Sequence, residues 1–501
     1  MPSVTPEGPR LFPQRSELPA SARYRLGRTD LQVSRLGFGC YRVDAVTVEH
    51  AAALKLALRR GINLIDTSTN YGDGESEELI GRILHELIAA GELRREETVV
   101  VSKIGYVQGR NLKLAQEREG SGEPFPEMVR YMDGCWHCLH PEFLQDQLAR
   151  SLSRLRSDRL EILLLHNPEY FLSHANKQRV ELPRARSEYY RRIANAFHFL
   201  EEQVTAGRIG WYGVSSNTFP LSSSHPEFTS LQRIWEIAES ISPQHHFGVI
   251  QFPLNLLESG AVFERNQSEH RHTLLQFAQA HGLGTLVNRP LNAMTGHDMM
   301  RLADFDVLPA HEAEQRFSER IAALAGIERE FHQSLAPSMA GMNRARNFEH
   351  AFHWAEQLQE GLRLFRDWGH WDYVKQHIIE PQTELALQRL RDSAAGGQVL
   401  SAWESRYRLA LSGVIDTLSA FYARGVAERS QRLSEDLDRA LPELRSSPAL
   451  SRKALRVLWN TNGIDAVLLG MRRKHYVEDG LQALLSPPVS DIEPAYHTWK
   501  N

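Results

Sequence analysis

The chain has few cysteines and no long hydrophobic run. Its 501 residues include only Cys40, Cys135 and Cys138. Such a small, odd number cannot form a disulfide framework and is typical of a reducing compartment, which predicts a cytoplasmic protein. No apolar segment approaches the ~20 residues needed to cross a bilayer. Residues 1–22 lack the apolar core of a signal peptide, and we interpret them as a flexible arm.

An excess of charge of one sign is also missing. The formal net charge is -4, with 24% charged and 42% hydrophobic residues. These values are typical of a folded globular protein. Nothing in this balance indicates a nucleic acid or an anionic membrane as a partner.

Short aliphatic and β-branched runs alternate with helical patterns such as Val48–Arg60, Glu75–Ala90 and Pro141–Arg156. This order is typical of βαβ units and a parallel sheet. The predicted strands are Arg35–Gly39, Asn63–Thr67, Thr98–Lys103, Leu160–His166, Gly210–Ser215, Gly248–Phe252, Gly284–Asn288 and Asp465–Gly470. Eight such strands predict a closed (β/α)8 TIM barrel, and Tyr24–Val33 predicts a hairpin outside it.

The alternation stops after the seventh strand. From Gly296 to Ser451 the sequence shows long helical patterns and no convincing strand, which predicts a large all-helical insertion between the seventh and eighth strands. We interpret its aromatic residues as core packing rather than a ligand site; they are Phe352, Trp354, Phe365, Trp368, His370, Trp371 and Tyr373. The predicted domains are the arm 1–22, a barrel of 23–295 and 452–488, the helical insertion 296–451, and a C-terminal tail 489–501.

Ionisable residues stand at the ends of three consecutive predicted strands. Asp66 lies at the second strand's end with Tyr71 in its loop, Lys103 ends the third, and His166 ends the fourth. In a parallel barrel these ends form the catalytic face. The four types suit hydride transfer, in which a carbonyl oxygen gains a proton while its carbon gains a hydride.

Each of the four residues has a predicted role in that reaction. Tyr71 would supply the proton, and Lys103, held by Asp66, would stabilise the phenolate. His166 would donate a hydrogen bond to the carbonyl oxygen. Taken singly, each has a structural alternative: a buried ion pair, a packing tyrosine or a core histidine. Their grouping at one face favours catalysis.

Several segments, from Tyr24 to Leu291 and again from Leu450 to Leu485, resemble the aldo-keto reductase superfamily. They are Leu26-Gly-Arg-Thr-Asp-Leu-Gln-Val-Ser, Leu36-Gly-Phe-Gly, Gly61-Ile-Asn-Leu-Ile-Asp-Thr-Ser-Thr-Asn-Tyr-Gly-Asp-Gly-Glu-Ser-Glu, Ser151-Leu-Ser-Arg-Leu, Leu165-His-Asn-Pro-Glu and Gly213-Val-Ser-Ser-Asn. The resemblance implies a catalytic tetrad of Asp, Tyr, Lys and His, which falls on the same four residues. It also implies a small carbonyl or alcohol substrate.

The resemblance implies a nicotinamide site as well. It falls on Ser216 and Asn217 after the fifth strand and Gln251 in the sixth, with a loop cap or a strand edge as the alternative reading. Further implied cofactor residues are Gly39, Cys40, Asn288, Arg289, Leu291 and Gly470. Similar enzymes often place an aromatic ring after the seventh strand, but this chain has Asn288-Arg-Pro-Leu there.

A basic segment follows the eighth strand and resembles the site for the adenosine phosphate. Arg472, Arg473 and Lys474 offer charge-assisted hydrogen bonds, which favours NADP(H) over NAD(H). Tyr476 and Gly480 stand where the family has amide side chains, so the adenosine end must differ. A solvated basic turn is the alternative.

A third group of residues surrounds the predicted substrate mouth. Tyr41, Cys138 and His140 are expected to line the pocket. Cys135-Trp-His-Cys-Leu-His140 has CxxC spacing, but no second pair accompanies it, and we predict no metal.

An alternative function is a cofactor-binding regulatory or scaffold protein with little turnover, since a fold alone does not fix function. The sequence does not indicate an oligomeric state.

Overall fold

The computed structural model describes residues 18–295, 298–338, 348, 351–393 and 398–498. Residues 1–17 of the predicted arm lie outside this range, and the described Leu18 and Ala22 are buried. In the predicted tail, Tyr496 is buried and its hydroxyl lies 2.7 Å from Thr461 Oγ1. The described parts of both terminal segments therefore contribute buried side chains.

The strands of the described residues confirm the predicted barrel. In chain order they are β1 (Arg23–Arg25), β2 (Gln32–Ser34), β3 (Leu36–Gly39), β4 (Leu64–Asp66), β5 (Val99–Ile104), β6 (Tyr106–Val107), β7 (Val129–Met132), β8 (Cys135–His137), β9 (Leu160–His166), β10 (Ile209–Ser215), β11 (Phe247–Pro253), β12 (Gly284–Asn288), β13 (Asn292–Thr295), β14 (Asp298–Arg301) and β15 (Ala466–Gly470). A closed parallel barrel forms in the order β10, β11, β12, β15, β3, β4, β5, β9. Each barrel strand begins and ends within one residue of its predicted bounds.

The barrel strands form because they are short aliphatic runs that can be buried on both faces. Every residue of β5 and β9 is buried. The predicted hairpin is confirmed as the antiparallel pair β1 and β2. Leu26, in the turn between the strands, and Val33 of β2 pack into the barrel interior. Asp465 fixes the hairpin by accepting hydrogen bonds from the Gly27 and Thr285 N–H groups at 3.1 and 3.0 Å. Burial raises the pKa of Asp465 to about 7.

The segment after β5 contains structure that the sequence analysis did not predict. Strands β6, β8 and β7 form a three-stranded antiparallel sheet, in which Tyr106 and Val129 both pair with His137. This sheet brings Tyr106 next to the end of β9, where its ring centroid lies 4.6 Å from that of His166.

Helices separate the barrel strands and fill the rest of the described chain. In order they are α1 (Val48–Arg59), α2 (Glu75–Ala89), α3 (Gly109–Gly120), α4 (Pro141–Leu155), α5 (Tyr170–Lys177), α6 (Leu182–Thr205), α7 (Leu231–Ile241), α8 (Gly260–Phe263), α9 (Leu274–Ala280), α10 (Ala310–Glu330), α11 (Ala336–Ser338), α12 (Trp354–Gln357), α13 (Gly361–Leu364), α14 (Trp368–Val374), α15 (Glu380–Ser393), α16 (Gln398–Tyr422), α17 (Arg424–Ala440), α18 (Leu450–Trp459), α19 (Lys474–Leu484) and α20 (Glu493–His497). Short 3₁₀ turns cover Ala20–Ala22, Tyr71–Gly74, Arg95–Glu97 and Pro442–Ser446, and π-helical turns cover Phe331–Leu335 and Lys375–Ile379. None of the described helices is long and apolar enough to span a bilayer.

The chain divides into two compact units, Met1–Met294 with Leu437–Asn501, and Thr295–Asp436. The predicted insertion, residues 296–451, begins next to Thr295, where the second unit starts. It ends after Asp436, where the second unit ends. The expectation that this region is all-helical is wrong at its start, because Asp298–Arg301 forms strand β14. This strand has only four residues, which is too short for an alternation of polar and apolar positions to be recognised.

The core of the second unit is aromatic. Trp371, Trp403 and Tyr407 are fully buried in one cluster with other aromatic and aliphatic side chains. Most of the predicted core aromatics belong to it: Phe352, Trp354, Phe365 and Trp371 are buried, and Trp368 packs against them. His370 and Tyr373 are exposed, so for these two the prediction is wrong.

Candidate active site

Three neighbouring strands bring the predicted catalytic residues to one end of the barrel. Asp66 ends β4, Lys103 is the penultimate residue of β5, and His166 ends β9. Tyr71 opens the 3₁₀ turn after β4. Because the three strands are parallel and adjacent in the barrel, their C-terminal ends place these side chains at the same rim.

The centre of the site is a buried ion pair. Lys103 Nζ lies 2.9 and 2.8 Å from the two Asp66 carboxylate oxygens and donates to the Thr67 carbonyl at 2.7 Å. The Lys103 side chain has no solvent exposure. Burial lowers the pKa of Lys103, whereas the Asp66 carboxylate opposes that shift. The two carboxylate oxygens thus hold the ammonium in a fixed position, and their charge favours its protonated form.

The Tyr71 ring lies directly beside this pair. Its centroid is 4.7 Å from Lys103 Nζ and 5.3 Å from the ring of Tyr41. Burial raises the pKa of Tyr71 well above 10 and Asp66 adds to the shift, so stabilisation of the phenolate by Lys103 during the reaction stays a prediction. The neutral phenol is therefore the stable form, as a proton donor requires. Within the described residues the Tyr71 hydroxyl has no hydrogen-bond partner.

The His166 ring closes the other side of Tyr71. The two ring centroids are 5.9 Å apart in an edge-to-face arrangement. His166 Nδ1 lies 3.0 Å from Ser68 Oγ. Burial, with the nearby Lys103 ammonium, holds the pKa of His166 well below 6.5, so the imidazole is neutral.

A line of amide and hydroxyl groups continues from Asp66 across the barrel. Gln251 Nε2 donates to Asp66 Oδ1 at 2.7 Å, and Gln251 Oε1 accepts from Ser215 Oγ at 3.1 Å and from Asn288 Nδ2 at 3.4 Å. Asn288 Oδ1 is buried without a hydrogen-bond partner among the described residues. These groups offer hydrogen bonds to a polar ligand at the rim.

The predicted Ser216 and Asn217 follow β10, and their cofactor-binding roles stay predictions. The Ser216 hydroxyl pairs with Thr218 Oγ1 at 3.1 Å, and the Asn217 N–H donates to Glu169 Oε1 at 2.8 Å. Ser215, which the sequence analysis missed, is the serine that bonds Gln251. The strand-end rule that selected Asp66 would have found it, because Ser215 is the last residue of β10.

Gly39 ends β3, and Cys40 and Tyr41 follow it beside the tetrad. The Cys40 N–H donates to the Asp66 carbonyl at 2.9 Å, and the Cys40 thiol is fully buried, which raises its pKa. Tyr41 is 66% exposed while its ring touches Tyr71. The structure therefore brings Cys40 and Tyr41 to the site.

The other predicted cofactor residues lie after β12 and β15. Arg289 pairs with Glu258 at 2.6 Å, and Leu291 is half-buried in the turn that follows. Gly470 ends β15, and Tyr476 lies in the first turn of α19. Beside it, the side chains of Arg472, Arg473 and Lys474 make no hydrogen bond or ion pair within the described part of the chain. These three positively charged side chains are therefore available to bind an anion.

The Cys135–His140 segment is occupied by internal contacts. His140 caps α4 by accepting from the Glu142 N–H, and Cys138 Sγ donates to the Pro126 carbonyl at 3.4 Å. His137 Nε2 lies 2.7 Å from the His166 carbonyl oxygen. The described residues include no group of three or more side chains suited to a metal ion. The substrate-lining roles of Cys138 and His140 stay predictions.

Gly105 lets His137 approach His166. A Cβ at Gly105 would lie 2.4 Å from the His166 carbonyl oxygen and 2.6 Å from His137 Nε2. We expect Gly105→Ala to destabilise the barrel unit by about 1–3 kcal/mol through overpacking and to reduce activity. Urea unfolding measures the first effect. Gly120→Ala is the control, since no atom lies within 4 Å of its Cβ, and an equal loss in both variants would contradict the prediction.

The family model described as "Aldo/keto reductase family" matches residues 35–316, which is more than half of the chain. The chain is 30% identical over 149 residues to the NADH-specific methylglyoxal reductase of Escherichia coli, covering 28% of this chain and 40% of that protein.

Two further matches have lower sequence identity. Identity to the NADPH-dependent D-xylose reductase of Meyerozyma guilliermondii is 26% over 141 residues, covering 28% of this chain and 33% of that protein. The chain thus spans less than half the length of these curated relatives. A holo-form aldo-keto reductase structure from Bacillus halodurans matches with 18% identity and a TM-score of 0.35, covering 59% of this chain and 76% of that one.

Proposed function

The chain belongs to the aldo/keto reductase family, and we propose that it catalyses reversible hydride transfer between a nicotinamide cofactor and an aldehyde, ketone or sugar carbonyl. One observation carries the proposal. A neutral Tyr71 with an unengaged hydroxyl stands beside the buried Lys103–Asp66 pair and the neutral His166.

Tyr71, Lys103 and Asp66 each have a role that their contacts support. Tyr71 donates its phenolic proton to the substrate oxygen, and the Lys103 ammonium stabilises the phenolate left behind. Asp66 holds that ammonium in place through both carboxylate oxygens. A bound nicotinamide would supply the hydride in reduction and accept it in oxidation.

The chain offers suitable groups for such a cofactor at two places. Near the tetrad, Ser215, Gln251 and Asn288 form a polar line that ends in the unpartnered Asn288 Oδ1, which suits an amide N–H. At the start of α19, Arg472 and Arg473 suit a phosphate, because guanidinium groups bind it bidentately. We propose NADPH as the cofactor on the strength of this basic group.

Arg472→Ala tests the choice of cofactor. We expect the variant to lose affinity for NADPH more than for NADH, since only NADPH carries the 2′-phosphate. Titration of each dinucleotide by fluorescence measures this. Arg184→Ala removes an exposed arginine of α6 and is the matched control. Equal weakening of both cofactors would mean that Arg472 contacts a group the two share.

The same titration separates catalysis from binding alone. We expect the wild-type chain to bind NADPH and to consume it when aldehydes or ketones are added. Binding with no turnover across aldehydes, ketones and sugars would favour the regulatory alternative. No binding of either dinucleotide would contradict both.

A further inference from the structure

The 3₁₀ turn that carries Tyr71, which we call the tyrosine turn (Tyr71–Gly74), contains three consecutive left-handed residues. Gly72, Asp73 and Gly74 have φ values of 56°, 56° and 96°. Glycine adopts this conformation at little cost, but Asp73 has a Cβ and needs compensating contacts. Because the Tyr71 hydroxyl makes no hydrogen bond among the described residues, its position depends on its ring contacts and on this turn.

The start of helix α3 provides the contacts that Asp73 needs. The Arg110 N–H lies 2.9 and 3.0 Å from the two carboxylate oxygens of Asp73. On the other side of Tyr71, Asn70 Nδ2 lies 3.0 Å from Gln108 Oε1. The chain on both sides of the tyrosine is thus bonded to one short segment, residues 108–110.

Helix α3 in turn has no cap of its own. Within the described part of the chain, the side chain of its N-cap residue, Gln108, makes no capping hydrogen bond, and the first turn contains no acidic residue. The first N–H groups of a helix have no partner inside the helix and carry partial positive charge. Asp73 therefore supplies the carboxylate that α3 lacks, and α3 holds Asp73 in its left-handed conformation.

Gly109 leaves the space that the Asp73 carboxylate occupies. A Cβ at this position would lie 2.3 Å from Asp73 Oδ1 and 2.5 Å from Asp73 Cγ. The ion pair of Asp73 with the Arg110 guanidinium, 3.5 Å apart and exposed to water, contributes little by itself. The close fit against Gly109 and the two contacts with a backbone N–H therefore define the attachment.

We propose that Asp73 is a positioning residue for the general acid, because by capping α3 it fixes the tyrosine turn and holds the Tyr71 phenol in place. This inference rests on the proposed function and adds to it a residue outside the tetrad. Without the Asp73 carboxylate, Tyr71 keeps its chemistry but samples other positions, and a small misplacement of a reacting group costs a large factor in rate.

The position of Tyr71 can be measured without turnover. In the full chain with tyrosine labelled by ¹³C at Cζ, which lies on the ring axis, the Tyr71 signal is assigned by its loss in Tyr71→Phe. We expect one narrow signal in the wild type and in Asp73→Asn. Asp73→Gly, which suits the left-handed backbone but lacks the carboxylate, should broaden, shift or divide it.

An identical Tyr71 signal in Asp73→Gly and the wild type would overturn the proposal. The signal can be recorded even if the chain reduces no carbonyl compound, so failure of the proposed function leaves this test intact.

Steady-state kinetics test the consequence for the reaction. Asp73→Gly should lower kcat by about tenfold or more while KM and NADPH affinity change little, since only the placement of the acid is altered. Asp73→Asn should restore most of kcat, because asparagine keeps an acceptor oxygen and tolerates the left-handed backbone. A wild-type kcat in Asp73→Gly, or no recovery in Asp73→Asn, would overturn the role of Asp73.

Gly109→Ala disturbs the same attachment from the other side. Its Cβ displaces the Asp73 carboxylate, so we expect a fall in kcat like that of Asp73→Gly and no further fall in the double variant. Gly122→Ala is the matched control, because Gly122 also has a left-handed φ, 82° against 52° for Gly109, but its added Cβ meets no atom within 4 Å. It should keep the wild-type kcat. Additive losses in the double variant would overturn the proposal.

Discussion

Tyr71→Phe should lower carbonyl reduction by a factor of ~10² or more while cofactor affinity stays unchanged. The substitution removes only the phenolic hydroxyl, and with it the proton that the substrate would receive. The ring that contacts Tyr41, Lys103 and His166 remains. Because the hydroxyl has no hydrogen-bond partner among the described residues, its loss leaves no buried group unpaired, and the fold should be as stable as before.

Steady-state rates with any substrate that the wild type reduces measure the loss, and NADPH fluorescence measures cofactor affinity. Tyr106→Phe is the matched control, because its ring also lies against His166 but its hydroxyl is bonded to Tyr170 and Asn167 at 3.0 and 2.9 Å. We expect a loss of less than about tenfold there, since no proton transfer is removed. Near wild-type turnover in Tyr71→Phe would exclude Tyr71 as the acid.

The barrel could be predicted from sequence because its strands are marked locally. Leu160–His166 is an aliphatic run buried at every position, and turn residues limit it on both sides, so its bounds were predicted without error. The positions of Asp66, Lys103 and His166 then followed from the rule that parallel strands end on one face. The strand bounds depend only on short stretches of sequence. The grouping of the three side chains follows from the closure of the barrel.

The small sheet after β5 could not be predicted in this way. Val129–Met132 has alternating burial only in part, and Tyr106–Val107 is two residues long. Strands β7 and β8 form a local hairpin around Asp133-Gly134, a turn signal that the sequence analysis missed. Tyr106, however, pairs with His137 across about 30 positions of chain rather than through a local pattern. The same is true of the hydrogen bonds that join Ser68 to the Lys103 carbonyl in β5 and to His166 in β9.

The direction of the pKa shift at Tyr71 could not be predicted from sequence for a related reason. Sequence places a lysine near the tyrosine, and an isolated ammonium would lower the phenol's pKa. In the structure the ammonium is already paired with both oxygens of Asp66, and burial raises the pKa of Tyr71 instead. The sign of the shift depends on how the charge is shared and on solvent access, neither of which the spacing of residues reveals.

Lys103→Met should destabilise the barrel unit by about 3–5 kcal/mol, because it leaves the Asp66 carboxylate buried without its counter-ion. Methionine has nearly the length of lysine, so packing changes little. The carboxylate retains the hydrogen bond from Gln251 at 2.7 Å but loses both contacts with the ammonium. The Thr67 carbonyl loses a donor as well.

The matched control is Lys55→Met, which breaks the half-exposed pair of Lys55 with Glu86, whose atoms are 2.7 Å apart. A pair in contact with water contributes little, so we expect a loss below about 1 kcal/mol. Hydrogen exchange of the peptide Val99–Ile104 during urea titration reports the unfolding of the barrel unit alone. Similar losses in the two variants would show that the Lys103–Asp66 pair does not stabilise the barrel.

The double variant Lys103→Met with Asp66→Leu separates charge from packing. If the cost of Lys103→Met comes from an unpaired buried carboxylate, removing that carboxylate should recover part of the lost stability, because apolar replacements of a whole buried pair are often tolerated. Full recovery is not expected, since the Gln251 amide would lose its acceptor. A double variant less stable than Lys103→Met alone would mean that side-chain volume at Asp66, rather than its charge, sets the cost. Because the double variant retains Tyr71 and His166 but lacks the ammonium, its activity should remain as low as that of Lys103→Met whatever its stability, which would assign the pair to catalysis as well as to the fold.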